Sequence, residues 1–229
     1  FGIAALTLSL LEVLTETGIN TILIQQKKGI EEYIDSAWSV SILRGFIISV
    51  VMVLLSVPVA LFFNIPESTP LILLASLVPI VRGFINPSEV VFQKELLFKK
   101  EFTFRTAIFI VDAVVSIYLA IVTKNPISLV WGILAGATFE MVLSHLMIKP
   151  RPKIDFNNIK VLFILKRGRW ITITGILDYL IQNGDNIIVG RVLGSSALGF
   201  YQMSYQVSTL PVTEISNILS KVMLPIFVK

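Results

Sequence analysis

Charged side chains lie inside stretches that are otherwise apolar, and their types and positions indicate what chemistry this chain could do. Asp178 and Asp185 are two helical turns apart in one such stretch, on the same face as Gln182. Glu12 and Glu16 share a face in another. A carboxyl group withdrawn from water takes up a proton or pairs with a cation, so we expect these four acids to take part in ion coupling. The alternative role for each acid is an interhelical hydrogen bond.

Two arginines also lie deep in apolar stretches. Arg44 is nine residues beyond Asp35, too far for its side chain to reach the membrane surface comfortably, and Arg82 lies about midway between Pro70 and Lys94. A charged side chain at such a depth usually faces the interior of a helix bundle or a water-filled cavity. We therefore expect both arginines to face a cavity.

The composition is that of a protein embedded in a membrane. Its mean hydropathy is +0.83 and 15% of its residues are charged, whereas soluble domains carry about 25%. The chain has no cysteine and one histidine, which excludes a disulfide framework, a thiolate zinc site and a His-rich metal site. It also lacks a Gly-rich phosphate loop followed by Lys and Ser or Thr. We expect neither an enzyme nor a bound cofactor.

Seven apolar stretches are long enough to cross a bilayer, which needs about 20 residues of helix. They lack the alternation of barrel strands, so the expected fold is an all-α integral membrane protein, a polytopic bundle with seven transmembrane helices. A very apolar soluble helical protein is the alternative. The stretches are residues 1–24, 37–63, 70–91, 104–122, 126–147, 170–192 and 197–228. The loop charges described next make the first span run from outside to inside, so we expect a further helix before it if the native N-terminus is cytoplasmic.

The loops predict an orientation, because basic loops alternate with loops that hold one basic residue or none. By the positive-inside rule, the basic loops that contain Lys27, Lys99 and Arg167 are cytoplasmic. The loops that contain Glu67 and Ser195 are then extracellular. Since the basic residues are divided among short loops, we expect no nucleic-acid binding.

The longest connection, residues 149–169, is basic and amphipathic. We expect it to lie at the level of the lipid headgroups and to contact anionic lipids. It separates residues 1–148, an amino-terminal group of helices, from residues 170–229, a carboxy-terminal group. The sequence therefore predicts two groups of helices joined by a cytoplasmic connection.

Glycines predict a helix contact and a turn. Gly132 and Gly136 lie four residues apart on the face of Glu140, a spacing typical of closely packed membrane helices. Gly194 and Gly199 belong to "GRVLGSSALG", where we expect a tight extracellular turn with positive φ at the glycines.

Four stretches resemble the polysaccharide transporter branch of the MOP exporter superfamily. They are "FGIAALTLSLLEVLTETGINTILIQQ", "NPSEVVFQKELLFKKEF", "GILAGATFEMVLSHLMIKPRPKIDF" and "NGDNIIVGRVLGSSALGFYQMSYQVSTLP". The last is the most specific and is similar to WzxC-type lipopolysaccharide and exopolysaccharide flippases. The resemblance covers essentially the whole chain. It implies a fragment of a larger, two-lobed, inverted V-shaped transporter of about a dozen helices or more.

The resemblance also implies a function. The cargo would be an oligosaccharide linked to undecaprenyl diphosphate, moved by alternating access across the bacterial or archaeal cytoplasmic (inner) membrane. Arg44 and Arg82 are then candidates for binding the diphosphate, since a guanidinium group forms paired hydrogen bonds with phosphate. The sugar needs polar and aromatic partners, for which the candidates are Gln182, Asn183, Tyr201 and Tyr205.

Two other functions stay open. One is export of cationic drugs or small solutes by a transporter of the same superfamily, which acids without arginines would suit. The other is a membrane scaffold that transports nothing. For the flippase, the expected partners are the lipid-linked oligosaccharide, membrane lipids, a polysaccharide polymerase and glycosyltransferases.

Overall fold

A computed structural model describes residues 2–14, 18–25, 31–155 and 158–228, and these residues form helices joined by short turns, without a strand among them. The predicted all-α, polytopic membrane fold is confirmed. In chain order the helices are α1 Gly2–Leu14, α2 Ile19–Gln25, α3 Glu31–Phe62, α4 Thr69–Ala75, α5 Leu77–Gly83, α6 Val90–Lys94, α7 Phe98–Thr123, α8 Ile127–Met147, α9 Asn158–Val192 and α10 Ser195–Val228. Short 3-10 turns, Pro66–Ser68 and Pro87–Glu89, precede α4 and α6.

Three of the described helices are long and apolar enough to cross a membrane, namely α3, α7 and α8. The segments Pro66–Gly83 and Pro87–Lys94 make a fourth span if they are taken together as one element bent by 69°. These four correspond to the second to fifth predicted spans. The first, sixth and seventh lie in α1 and α2, in α9 and in α10, and they stay predictions.

The first predicted span is not a single helix in this structure. α1 ends at Leu14 and α2 begins at Ile19, directly after Gly18. Gly18 has a φ of +61°, a conformation that glycine adopts without steric cost. A Cβ atom at Gly18 would also overlap the Ile171 side chain of α9. The first predicted span is therefore interrupted at this glycine, and Glu16, like Lys27, lies outside the described residues.

α9 is continuous from Asn158 to Val192, so half of the predicted connection 149–169 belongs to the same helix as the predicted sixth span. The turn before α10 is only two residues long, and Gly194 there has the expected positive φ, at +85°. Gly199 was expected in this turn but lies inside α10, because the helix already begins at Ser195. The division of the chain into two lobes stays a prediction.

α7 and α8 pack closely against each other through glycine. A Cβ atom at Gly132 would lie 2.7 Å from the Asp112 carboxylate, and one at Gly136 would lie 3.0 Å from the Asp112 Cβ. Asp112 also accepts a hydrogen bond from Ser116 at 3.1 Å, within the same contact. The glycine-mediated contact that the spacing predicted is confirmed.

Candidate functional site

One sequence of four residues, Arg-Gly-Phe-Ile, occurs at 44–47 in α3 and again at 82–85 at the end of α5. The two copies meet where the helices cross. A Cβ atom added to Gly45 would overlap the carbonyl oxygen of Pro79 and lie 3.4 Å from the Gly83 Cα. Only glycine allows the two backbones to approach this closely.

The crossing also determines the contacts of the residues on either side of each glycine. The Phe46 and Phe84 rings meet edge to face with centroids 6.3 Å apart. Trp38 donates a hydrogen bond from its indole nitrogen to the Phe84 carbonyl oxygen at 3.2 Å, which fixes the end of α5 against α3. Arg44 and Arg82, which precede the glycines, both line one cavity.

This cavity has a volume of about 400 Å³, within the range of about 300–1,000 Å³ that is usual for ligand sites. Its walls come from α1, α2, α3, α5 and the turn before α6. The lining residues are Ser9, Glu12, Val13, Ile19, Asn20, Ser41, Arg44, Gly45, Ile48, Pro79, Arg82, Gly83, Ile85, Pro87 and Glu89. Arg44 and Arg82, which were expected to face a cavity, both line this one, as does Glu12, and the roles of all three stay predictions.

Both cavity arginines contact the same residue of α1. Arg82 Nη1 donates to Glu12 Oε1 at 2.7 Å, and Arg44 Nη2 donates to the Glu12 backbone oxygen at 2.6 Å. The Arg82 and Glu12 side chains are 43% and 28% exposed, so this ion pair is reachable from outside the protein. Two guanidinium groups directed at one acceptor position form a suitable site for an anion that has several oxygen atoms.

The break between α5 and α6 contributes Ile85, Pro87 and Glu89 to the cavity wall. Asn86 is completely buried there. Its side chain accepts from the Ser88 backbone nitrogen at 2.9 Å and donates to the Pro150 carbonyl oxygen at 3.1 Å. Its own backbone nitrogen donates to Ser144 Oγ at 3.1 Å. A buried amide thus satisfies the backbone groups that the break leaves free, and it fixes the position of the next acid, Glu89.

Glu89 connects the cavity to α7 and α8. Arg105 Nη2 donates to Glu89 Oε1 at 3.2 Å, and Arg105 Nη1 donates to Glu140 Oε1. Sequence reasoning missed this cluster, because Arg105 stood at the very edge of the predicted span 104–122, whereas α7 already begins at Phe98. In the described part of the chain, no group of three or more His, Asp or Glu side chains could hold a metal ion.

A second polar cluster joins α9 and α10. Tyr201 donates its hydroxyl proton to Asp185 Oδ2 at 2.6 Å, and the Tyr201 and Tyr205 rings are stacked with centroids 6.2 Å apart. Asn183 donates to the Tyr179 carbonyl oxygen at 3.3 Å. None of these residues lines the cavity described above. The structure thus brings Asp185, Tyr201 and Tyr205 together here, separately from the arginines.

Asp178 and Gln182 are exposed on α9 and do not line the cavity. Asp185 is half-buried, whereas Asp178 is exposed. The reason is the hydrogen bond from Tyr201, which covers Asp185 and which helical spacing alone does not predict. The roles of both acids in ion coupling stay predictions.

The repeated Arg-Gly-Phe-Ile is the signal that could have identified the crossing of α3 and α5 from the sequence. For Glu89, Arg105 and Glu140 the sequence carries no comparable signal. Their contact depends on the break at Asn86 and on the packing of α7 against α8 through Gly136.

Comparison with known proteins relates the whole chain to one family. Residues 1–229 match a family described as "Polysaccharide biosynthesis protein". The lipopolysaccharide biosynthesis protein WzxC of Escherichia coli K12 is 25% identical over 234 residues, which is 100% of this chain and 48% of WzxC. The teichuronic acid biosynthesis protein TuaB of Bacillus subtilis 168 is 24% identical, over 95% of this chain and 46% of TuaB.

A third relative is the amylovoran biosynthesis protein AmsL of Erwinia amylovora, which is 23% identical over 82% of this chain and 49% of AmsL. The chain spans about half the length of the curated relatives that it matches. No solved structure matches. The resemblance to polysaccharide transporters that the sequence motifs indicated is confirmed.

Proposed function

Because this chain belongs to the polysaccharide biosynthesis protein family, we propose that the protein translocates a lipid-linked oligosaccharide across the bacterial cytoplasmic membrane. Arg44 and Arg82 bind the diphosphate that joins the oligosaccharide to its undecaprenyl carrier. The protein acts as a transporter and not as an enzyme, and it alternates between a cavity open to the cytoplasm and a cavity open to the outside.

The observation that carries this proposal is the convergence of two arginines in one cavity. Both guanidinium groups contact Glu12, one through its carboxylate and one through its backbone oxygen. A diphosphate carries two phosphate groups, and each arginine can form paired hydrogen bonds with one of them. In this proposal the diphosphate takes the place of the Glu12 carboxylate on Arg82.

A cation exporter requires a cavity in which carboxylates are not paired with arginines. The acids in the cavity, Glu12 and Glu89, are each paired with an arginine in this structure. Among the described residues, the cavity therefore offers a cationic drug no carboxylate without a competing guanidinium group, which favours an anionic cargo.

The sugar part of the cargo suits the cluster between α9 and α10. Stacked aromatic rings bind the apolar faces of sugars, and Asp185 accepts hydroxyl hydrogen bonds. The relatives' names refer to lipopolysaccharide, teichuronic acid and amylovoran biosynthesis. We accordingly propose that a polysaccharide polymerase and glycosyltransferases supply and consume the cargo.

The test removes each cavity arginine from the full-length protein in a host whose own gene is deleted. Arg44→Ala and Arg82→Ala should abolish surface polysaccharide and cause lipid-linked oligosaccharide to accumulate on the cytoplasmic leaflet. Arg44→Lys and Arg82→Lys should restore only part of the polymer, because an ammonium group lacks the planar, two-pronged geometry of arginine. Immunoblots of the membrane fraction check that protein abundance is unchanged.

Arg151→Ala is the matched control. Arg151 is exposed, its Nε donates to the His145 carbonyl oxygen at 3.2 Å, and it does not line the cavity. This variant should export polysaccharide normally. Normal export by both cavity variants, Arg44→Ala and Arg82→Ala, would refute the diphosphate site proposed here.

A further inference from the structure

Glu89 has an arrangement that anion binding does not explain. It lies at the start of α6, on the wall of the cavity that contains Arg44 and Arg82. Its Oε1 accepts from Arg105 at 3.2 Å. Its other oxygen, Oε2, is buried, and no described residue donates a hydrogen bond to it. A buried carboxylate oxygen without a donor costs free energy for as long as the group stays ionised.

The acids near Glu89 outnumber the arginine that pairs with it. Arg105 from α7 is shared between Glu89 and Glu140 of α8, so one guanidinium group serves two carboxylates. A third acid, Glu101 of α7, is buried nearby and accepts from the Gln93 side chain at 2.9 Å. From α3, Arg44 lines the same cavity but is directed at Glu12.

We infer that Glu89 is a proton-exchange site, with Oε2 as the atom that takes up the proton from water in the cavity. One carboxylate oxygen is enough to hold a proton, whereas hard metal cations need several oxygen ligands. Protonation removes the charge on Glu89 and leaves Arg105 to Glu140, since both acids compete for the same guanidinium group. The start of α6 then loses its ion pair with α7.

This exchange couples protonation to the cavity, because Glu89 and the two arginines line the same space. Loss of the Glu89 charge makes the cavity more positive and favours an anion there. Deprotonation restores the contact with Arg105 and disfavours the anion. The coupling step rests on the proposed function, whereas the protonation itself does not.

Carbodiimide labelling of the full-length protein in lipid nanodiscs tests the protonation. Dicyclohexylcarbodiimide reacts with carboxyl groups that are protonated and withdrawn from water, and mass spectrometry locates the adduct. Glu89 should be labelled, and its labelling rate should rise by up to about tenfold for each pH unit between about pH 8 and about pH 6. Glu140, which Arg105 continues to hold, should stay unlabelled.

Replacing potassium by sodium in the buffer separates a proton from a metal cation. Sodium should leave the labelling of Glu89 unchanged. Protection by sodium, labelling that does not depend on pH, or no adduct at Glu89 would each overturn the inference. Because labelling requires no transport, any of these results would leave the diphosphate site of Arg44 and Arg82 untouched.

The coupling is tested with Glu89→Gln, which keeps the size and polarity of the side chain but cannot exchange a proton. Translocation of lipid-linked oligosaccharide in proteoliposomes should lose its response to an imposed pH gradient. Glu67→Gln is the matched control, since Glu67 is exposed in the turn Pro66–Ser68 and lies outside the cavity. A response in Glu89→Gln equal to that of the control would overturn the coupling.

Discussion

Arg82 and Glu12 form an ion pair that joins α5 to α1 at the wall of the cavity, with 2.7 Å between Nη1 and Oε1. Both side chains are partly exposed, so the pair contributes little to stability. Its importance is that Glu12 occupies the position on Arg82 that an anionic ligand needs. Glu12 thus acts as a resident anion that the cargo must displace.

Removing the charge of Glu12 should therefore strengthen anion binding. In Glu12→Gln we expect the affinity for farnesyl diphosphate, a short soluble analogue of the carrier, to rise by about two- to fivefold, the range expected for loss of a partly exposed ion pair. Isothermal titration of the full-length protein in detergent at low salt measures this change. Unchanged or weaker binding would show that the carboxylate does not compete with the ligand.

The crossing of α3 and α5 should tolerate no side chain at its centre. In Gly45→Ala we expect the free energy of unfolding to fall by about 1–3 kcal/mol, because the added Cβ forces the Pro79 backbone away. Thermal unfolding of the full-length protein measures it. Gly199→Ala is the matched control, since Gly199 also lies in a helix and a Cβ there would meet nothing within 4 Å. The control should be neutral or stabilised by up to about 1 kcal/mol, and equal losses in the two variants would contradict the crossing.

The break between α5 and α6 should depend on one amide group. In Asn86→Ala, the Ser88 backbone nitrogen loses its acceptor, and the Pro150 carbonyl oxygen keeps only the Ser88 hydroxyl group as a donor. We expect the free energy of unfolding to fall by about 1–3 kcal/mol, the cost of leaving buried polar groups unsatisfied. Thr138→Ala serves as the control, because its hydroxyl group is exposed and bonds only the Leu134 carbonyl oxygen of its own helix. An unfolding temperature of Asn86→Ala equal to that of the control would refute this account of the break.

The cavity illustrates what helical spacing and depth can predict. Arg44 and Arg82 were assigned to a cavity from their distance to the ends of apolar stretches, and both line it. Depth identifies these residues because burying a lone charge in a membrane is costly, so each requires a polar environment. The close contact of α8 with another helix was also predictable, since glycines four residues apart, such as Gly132 and Gly136, are typical of closely packed membrane helices.

The parts that could not be predicted depend on breaks in helices and on contacts between distant residues. Spacing places Asp178 and Asp185 on one face of α9, but it does not tell which residue of α10 covers that face. Tyr201 covers Asp185 and leaves Asp178 exposed. The contact of Glu89 with Arg105 was not predicted either, because Arg105 lies beyond the break at Asn86 and in another helix.

The orientation of the helices is testable with single cysteines, since the chain has none of its own. Cysteines at Lys99 and Arg167 should react with an impermeant maleimide only after the membrane is opened. Cysteines at Glu67 and Ser195 should react in intact cells. This pattern follows from the excess of Lys and Arg in cytoplasmic loops. Labelling of positions 67 and 99 from the same side would contradict the predicted alternation.

The pair of Asp185 and Tyr201 should hold the stacked rings of Tyr201 and Tyr205 in place for the sugar. Asp185→Asn keeps an acceptor oxygen for the Tyr201 hydroxyl group, so we expect near-normal export of polysaccharide from this variant. Asp185→Ala removes the acceptor and should reduce export strongly. The comparison separates a positioning role, for which the hydrogen bond matters, from ion coupling, for which the charge matters.

Substitutions of the two tyrosines complete this test. Tyr201→Phe removes the hydroxyl group that donates to Asp185 at 2.6 Å and should reduce export as Asp185→Ala does. Tyr205→Phe removes the same atom from the neighbouring ring, which keeps its stacking on Tyr201, and should export normally. Export is measured as surface polysaccharide per amount of protein in the membrane. If Asp185→Asn instead stops export as completely as Asp185→Ala, the charge of Asp185 is what transport requires, and the positioning role is wrong.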